Sequence, residues 1–210
     1  MIVIPFSDIL AAANLQTIAA CLKADGVIAY PTDTLYGLGG NFLSLALIKK
    51  IDRLKNRHDM PYSVAGGGLS MLESLAADVP EVFYFQLQKL LPGKFTFLFK
   101  PNPAIDAALL KNSGKIGIRL PDLPPLLEMI RALGLPLVST SVNRSGQPPL
   151  NDPQRIAREF PELDLLIDGG VLPPSPGSTL VDVTVTPPRI VRRGADLEKF
   201  MAVMDHEPEG

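Results

Sequence analysis

The sequence predicts a single α/β domain in which a twisted sheet of mixed parallel and antiparallel strands is flanked by helices. Three observations predict it. Segments with the spacing of amphipathic helices alternate with short apolar runs of strand length, the pattern of strands joined by covering helices. With 210 residues, 46% hydrophobic and 20% charged, the chain is long enough to bury a substantial core. Its 21 prolines are scattered at element ends, and no internal repeat or long linker divides it.

The elements follow in order. Ser7 or Asp8 is placed to cap a helix through Ile18, Ala19, Leu22 and Lys23 that stops before Gly26. Gly26-Val27-Ile28-Ala29 then reads as a buried strand. Leu43, Leu45, Leu47, Ile48, Ile51 and Leu54 share a helical face, and this helix runs into the basic stretch from Lys49 to His58. Tyr62 to Ala65 reads as a short strand, Ser70 to Ala77 as a helix capped by Ser70, and Pro80 to Leu91 as a helix stopped by Pro92-Gly93. Phe95 to Lys100, aromatic-rich between Gly93 and Pro101, is the clearest strand.

The second half repeats the alternation. Lys115 to Pro121 is a strand carrying Arg119 near its end, Pro124 to Leu133 a helix, and Pro136 to Thr140 a strand. Asp152 and Pro153 are a cap and first-turn proline for a helix from Gln154 to Phe160. Leu163 to Ile167, Thr179 to Val183 and Ile190 to Gly194 read as strands, followed by a terminal helix. Residues 1–204 are expected to form the domain and 205–210 an acidic tail.

Composition limits the partners. A formal net charge of −2 supplies no global basic field for nucleic acid. The one cysteine, Cys21, excludes an internal disulfide and sits in an apolar helical stretch, where a buried structural thiol is expected. Met1-Ile2-Val3-Ile4-Pro5 lacks a basic leader, and no apolar run reaches the length of a membrane span. The expectation is a cytoplasmic protein with neither secretion nor membrane insertion.

The chemistry-bearing stretches lie at strand and helix ends. Tyr30-Pro31-Thr32-Asp33-Thr34-Leu35-Tyr36-Gly37-Leu38-Gly39-Gly40 follows the first buried strand. It fits a strand end presenting polar groups to a small molecule, and equally a Pro/Gly turn with an Asx-type cap. Lys55-Asn56-Arg57 sets two cations two residues apart, suited to a phosphate chain or to a solvated helix end. Ser139-Thr140-Ser141-Val142-Asn143-Arg144-Ser145-Gly146 is dense in donors, fitting a cradle for phosphate or ribose oxygens, or a Ser/Asn-rich turn. Ser178 and Thr179 beside one strand, and Arg192 at the end of another, repeat the theme. His58 reads as a solvated histidine beside Arg57 rather than a general base. There is no Cys-His or Ser-His-Asp set, and no carboxylate cluster marks a protein metal site.

Taken in order, six motifs resemble the YrdC-type threonylcarbamoyl-AMP synthase family in its short, single-domain form. They are Pro31-Thr32-Asp33-Thr34-Leu35-Tyr36-Gly37-Leu38, Lys55-Asn56-Arg57, Ile118-Arg119-Leu120-Pro121, Ser141-Val142-Asn143-Arg144-Ser145-Gly146, Ser178-Thr179-Leu180-Val181-Asp182 and Ile190-Val191-Arg192-Arg193-Gly194. The resemblance spans residues 8 to 200, and the first and fourth motifs are the specific ones.

The resemblance implies a YrdC-like (DHBP-synthase-like) fold around a positively lined concave surface. It implies synthesis of threonylcarbamoyl-AMP and pyrophosphate from L-threonine, bicarbonate and ATP, with Mg2+ accompanying the ATP. A downstream tRNA threonylcarbamoyl transferase would use the product to modify adenosine 37 of tRNA. Carried over by motif, Thr34, Arg119, Ser139 and Ser178 would hold threonine, Arg119 taking its carboxylate. Lys55, Arg57, Ser141, Asn143 and Arg192 would hold ATP, with Lys55 and Arg57 as the catalytic cations. The role of Asp33 stays open between capping its turn and orienting the site. Such chemistry needs positioning and charge neutralisation more than a covalent nucleophile, which suits these residue types.

The chain departs from the family pattern in places. Arg57 is followed by His58 where proline is usual, the segment to Pro61 is one residue short, Ala65 stands where many longer members carry histidine, and Lys115 replaces a small hydroxyl. Two other readings belong to different classes. In one, Lys49, Lys50, Arg53, Lys55 and Arg57 bind the backbone of tRNA or double-stranded RNA in a non-catalytic module. The other is a carbamoyl-adenylate enzyme of metal-centre maturation, whose YrdC-like domain normally sits in a far longer, cysteine-bearing chain.

Overall fold

The computed structural model describes residues 1–57, 60–79 and 81–205. His58, Asp59, Pro80 and most of the acidic tail lie outside the described residues. In chain order the strands are β1 (Ile2–Pro5), β2 (Ile28–Tyr30), β3 (Gly37–Gly39), β4 (Ser63–Ala65), β5 (Ala76–Ala77), β6 (Phe95–Pro101), β7 (Ile116–Arg119), β8 (Leu137–Ser141), β9 (Leu165–Asp168), β10 (Thr179–Asp182) and β11 (Arg189–Arg192). The α-helices are α1 (Ala12–Lys23), α2 (Leu45–Lys55), α3 (Leu69–Leu75), α4 (Glu81–Leu90), α5 (Pro124–Leu133), α6 (Pro153–Glu159) and α7 (Leu197–Asp205).

The strands run β1-β9-β2-β3-β8-β4-β7-β6-β10-β11 across one mixed sheet, with β5 pairing to β6. Parallel pairs (β1 with β9, β4 with β7, β6 with β10) interleave with antiparallel ones (β2 with β3, β3 with β8, β6 with β7). One apolar cluster unites α1 residues Ile18 and Leu22 with α5 residues Leu126, Met129 and Ile130. The larger cluster unites the helices α2, α3, α4, α6 and α7 with strands β2 to β11, of which β2, β4, β8 and β9 contribute to both clusters. The sheet is thus a layer between two cores, the arrangement that alternating helices and strands build.

Local chemistry sets most boundaries. Ser44 accepts from the Leu47 amide at 3.1 Å to start α2, and Asn56 ends it in the left-handed region. Asp152 accepts from Gln154 at 2.9 Å, with Pro153 in the first turn of α6. α5 opens on Pro124 and closes on Gly134 at φ 64°. On β6, Phe95, Phe97 and Phe99 enter the core, where Phe97 meets Phe83 edge-on at 5.5 Å.

Two expectations need correction, and two strands were not foreseen. The first helix begins at Ala12, because Phe6–Asp8 form a 3-10 turn and neither Ser7 nor Asp8 caps α1. Ser70 lies inside α3, whose N-cap is Gly68, and Ala76–Ala77 leave that helix to pair with the end of β6. β1 went unpredicted: it is an edge strand with Ile2 and Val3 about half exposed, so burial leaves little mark on its sequence. β3 is a glycine strand, Gly37-Leu38-Gly39, that propensity alone would place in a turn. A Cβ at Gly39 would lie 1.9 Å from the Val138 carbonyl oxygen, so close strand approach requires glycine there.

Candidate functional site

Alternation on β6 and β7 builds one wall of the site. While the phenylalanines of β6 enter the core, Thr96 and Leu98 face the other way. On β7, Ile116 and Ile118 are core residues, and Gly117 and Arg119, with Lys115 just before the strand, face the same side as Thr96. With Thr34 to Gly37 before and within β3, Ser139 to Ser141 on β8, Ser178 before β10 and Arg192 on β11, they line one cavity of about 490 Å3. That volume is typical of small-molecule sites, which span roughly 300–1,000 Å3. No aspartate or glutamate is among its described lining residues.

The opening motif resolves into two roles. Thr32, not Asp33, makes the local turn: its hydroxyl accepts from the Thr34 and Leu35 amides at 3.2 Å each and donates to the Leu35 carbonyl at 2.7 Å. Asp33 instead pairs with Arg119, and its second oxygen accepts from the Asp122 amide at 3.0 Å. Burial pushes the Asp33 carboxyl above the usual carboxylate range, against the lowering influence of Arg119 and the Asp122 amide. Arg119 Nη2 also donates to Thr34 Oγ1 at 3.3 Å. Its Nε is buried and has no hydrogen-bond partner among the described residues.

A second guanidinium faces the same space. Arg192 Nη2 donates to the Ser178 carbonyl at 2.9 Å and to its hydroxyl at 3.2 Å, and that hydroxyl lies 2.8 Å from Thr96 Oγ1. Burial, then the charge of Arg119, lowers the Arg192 pKa from its ordinary value. Arg57 is held at the cavity wall over the Tyr62 ring at 5.2 Å, with Nη2 3.4 Å from the Pro61 carbonyl. Tyr62 in turn donates to Asp52 at 2.7 Å, and the Lys111 ammonium sits 4.9 Å from the same ring. Lys115 enters the cavity wall paired with the buried Asp182 at 2.7 Å.

The structure thus brings Thr34, Arg57, Arg119, Ser139, Ser141, Ser178 and Arg192 to one cavity. Lys55 and Asn143, expected there from the motifs, lie behind the wall. Lys55 is 2% exposed, and its ammonium donates to the Ser141 carbonyl at 2.5 Å, the Asn143 carbonyl at 3.0 Å and Asn143 Oδ1 at 2.7 Å. Burial and the charge of Arg57 lower its pKa to about 8. The basic run does not form one exposed stripe either: Lys49 and Arg53 are exposed, Lys50 donates to the Asp25 carbonyl at 2.7 Å, and Lys55 is buried. Thr96 and Tyr62 are cavity residues that motif reading missed. Thr96 had a signal, being a hydroxyl at an alternate position among the strand's three phenylalanines.

Two side expectations also meet the structure. Cys21 is half-buried, and its thiol pKa is raised by burial first and then by Asp164, the setting of an unreactive thiol. Among the described residues no helix is long and apolar enough to cross a membrane.

The family model described as Sua5_yciO_yrdC, telomere recombination, matches residues 20–194. The chain belongs to the Sua5/YciO/YrdC family. It is 32% identical over 179 residues to threonylcarbamoyl-AMP synthase of Bacillus subtilis, covering 84% of this chain and 52% of that protein. It is 34% identical over 167 residues to the Neisseria gonorrhoeae protein of the same name, covering 79% and 88%. The chain therefore spans about half the length of the Bacillus relative and most of the Neisseria one. Among solved structures, Sua5 of P. abyssi complexed with L-threonine superposes with a TM-score of 0.87 at 26% identity, over 97% of this chain and 60% of that one. E. coli YciO superposes at 0.80 with 28% identity, over 92% and 95%. The YrdC-like fold expected from the sequence is the fold of this Sua5/YciO/YrdC chain.

Proposed function

We propose that this chain is an L-threonylcarbamoyladenylate synthase, a nucleotidyltransferase that makes threonylcarbamoyl-AMP and pyrophosphate from L-threonine, bicarbonate and ATP. The observation that carries the reading is the convergence of Arg119, Arg192 and Arg57 with the hydroxyls of Thr34, Thr96, Ser139, Ser141 and Ser178 on one cavity with no carboxylate among its described lining residues. Such a lining suits a carboxylate and a polyphosphate together. The names of the relatives and the threonine-bound P. abyssi structure support the same assignment.

In this reading, threonine's carboxylate lies against Arg119, whose guanidinium is held in the cavity by Asp33. Threonine's neutral amine attacks CO2, which forms from bicarbonate and a proton with loss of water, and the nitrogen gives up one proton to leave a carbamate. A carbamate oxygen attacks the α-phosphorus of ATP, and the bond from that phosphorus to the bridging oxygen breaks to release pyrophosphate. Arg57 and Arg192 neutralise the phosphates, and the hydroxyls orient the reactants. Mg2+ would enter with the triphosphate. The lining hydroxyls and cations do not fit a protein-held Mg2+, and no group of three or more His, Cys, Asp or Glu that could hold a metal occurs among the described residues. The product is a mixed anhydride, an activated donor that a transferase would consume, and the family resemblance implies one acting on tRNA.

The test is pyrophosphate release from ATP, measured with L-threonine and bicarbonate each present or withheld. Release that requires both supports the synthase reading. A rate indifferent to them refutes it.

A further inference from the structure

The Lys55 ammonium has three N–H donors, and three acceptors take them: the Ser141 carbonyl at 2.5 Å, Asn143 Oδ1 at 2.7 Å and the Asn143 carbonyl at 3.0 Å. The loop that supplies these acceptors is tied to the end of α2 by its backbone as well. The Ser145 amide donates to the Lys55 carbonyl at 2.8 Å, and Arg144 Nη1 to the Leu54 carbonyl at 2.9 Å. Asn143 closes the network: Oδ1 also accepts from Ser141 Oγ at 2.7 Å, and Nδ2 donates to the Gln147 carbonyl at 2.6 Å. Of the residues in this network only Ser141 reaches the cavity lining.

We propose that Lys55 is a positioning residue that clamps the 141–147 loop so that Ser141, at its start, is held on the cavity wall, and that it is not a ligand of the substrate phosphates. A phosphate oxygen could reach the ammonium only after one of its three bonds broke and the loop moved. Its charge serves instead to hold two carbonyl dipoles and one amide oxygen of a donor-rich loop. The phosphate contacts then fall to Arg57 and Arg192, which do line the cavity. The assignment rests on the nucleotide reading for the meaning of the loop, but the clamp itself can be measured without any ligand.

Lys55→Met keeps the length of the stem and removes the donors. In hydrogen exchange on the unliganded protein, amides of 142–147 are expected to exchange at least about tenfold faster in this variant, as loss of a charged hydrogen bond implies. Unchanged exchange in that segment overturns the clamp. In titrations, AMP and ATP are expected to weaken by the same factor, within about threefold, because the loop and not the polyphosphate is affected. Weakening of ATP alone overturns the proposal and restores a direct phosphate contact. Wild-type protein gives a check that needs no variant. The Lys55 ammonium signal in proton–nitrogen spectra should respond alike to AMP and ATP, and a shift produced by ATP alone again overturns the proposal. Wild-type protein that binds neither nucleotide would refute the synthase reading, and the exchange comparison would still decide the clamp.

Discussion

Replacing Arg119 by methionine probes the Asp33–Arg119 pair without presupposing any activity. The two side chains are 9% and 4% exposed. Removing the guanidinium leaves the Asp33 carboxylate buried against the Asp122 amide with its counter-charge gone. Breaking a buried pair by deleting one partner costs about 3–5 kcal/mol. Arg119 borders a cavity that water can enter, so the lower end, about 3 kcal/mol at pH 7, is expected. In a chain of this size that is a fall in Tm of about 6–12 °C.

The pH dependence supplies the sign. Asp33 already has a raised carboxyl pKa, with burial the main cause and Arg119 opposing it. Without Arg119 it rises further. A carboxyl whose folded pKa exceeds its unfolded value favours the folded state at low pH and loses that contribution as pH climbs through the folded pKa. The penalty of Arg119→Met against wild type is therefore expected to be small near pH 4 and to grow toward neutrality. Adding Asp33→Asn removes the stranded charge and should restore much of the neutral-pH stability. Urea unfolding of the wild type, the single and the double variant across this range is the assay. A penalty identical at every pH, or a double variant no more stable than the single one, would refute the reasoning.

Three further outcomes follow from the same geometry. Lys55 titrates at about 8 in the folded protein against an ordinary 10.5, so the folded state binds fewer protons between those values. Wild type should gain stability relative to Lys55→Met as pH rises from about 8 to 10, by at most about 3 kcal/mol, and a flat difference in urea unfolding would contradict this. Tyr62→Phe removes the bond to Asp52 and keeps the ring under Arg57, at a cost of about 1 kcal/mol, whereas Tyr62→Leu also loses the ring and should cost about 0.5–1 kcal/mol more. Equal denaturation midpoints for the two variants would remove the stacking role. Gly39→Ala puts a methyl group 1.9 Å from the Val138 carbonyl oxygen. It is expected to cost about 3 kcal/mol or more, and a thermal melt indistinguishable from wild type would show that β3 and β8 can separate cheaply.

Much of the architecture was legible because local rules and tertiary demands agree. Asp152-Pro153 starts a helix whether or not anything packs on it, and Phe95-Thr96-Phe97-Leu98-Phe99 carries strand alternation in its own letters. The ordered motifs also sufficed to indicate the family, since residue types at fixed spacings are themselves a sequence property. β1 and β3 were hidden for opposite reasons. An edge strand is only half-buried, and a glycine strand is chosen for how close its neighbours come, which only those neighbours reveal.

The sequence by itself determined the α/β class, most helices and strands, and the set of hydroxyls and arginines from which the site is drawn. Tertiary structure alone decided what each of them touches. Asp33 meets Arg119 because the turn after β2 and the end of β7 converge across 86 residues of chain. Lys55 and Arg57, two residues apart in one motif, are separated by the αL turn at Asn56 that ends α2. One becomes a buried clamp and the other a cavity wall. Charge and hydrogen-bond capacity are written in the residue, but they act through distances of a few ångströms, and those distances are set only when the strands pair.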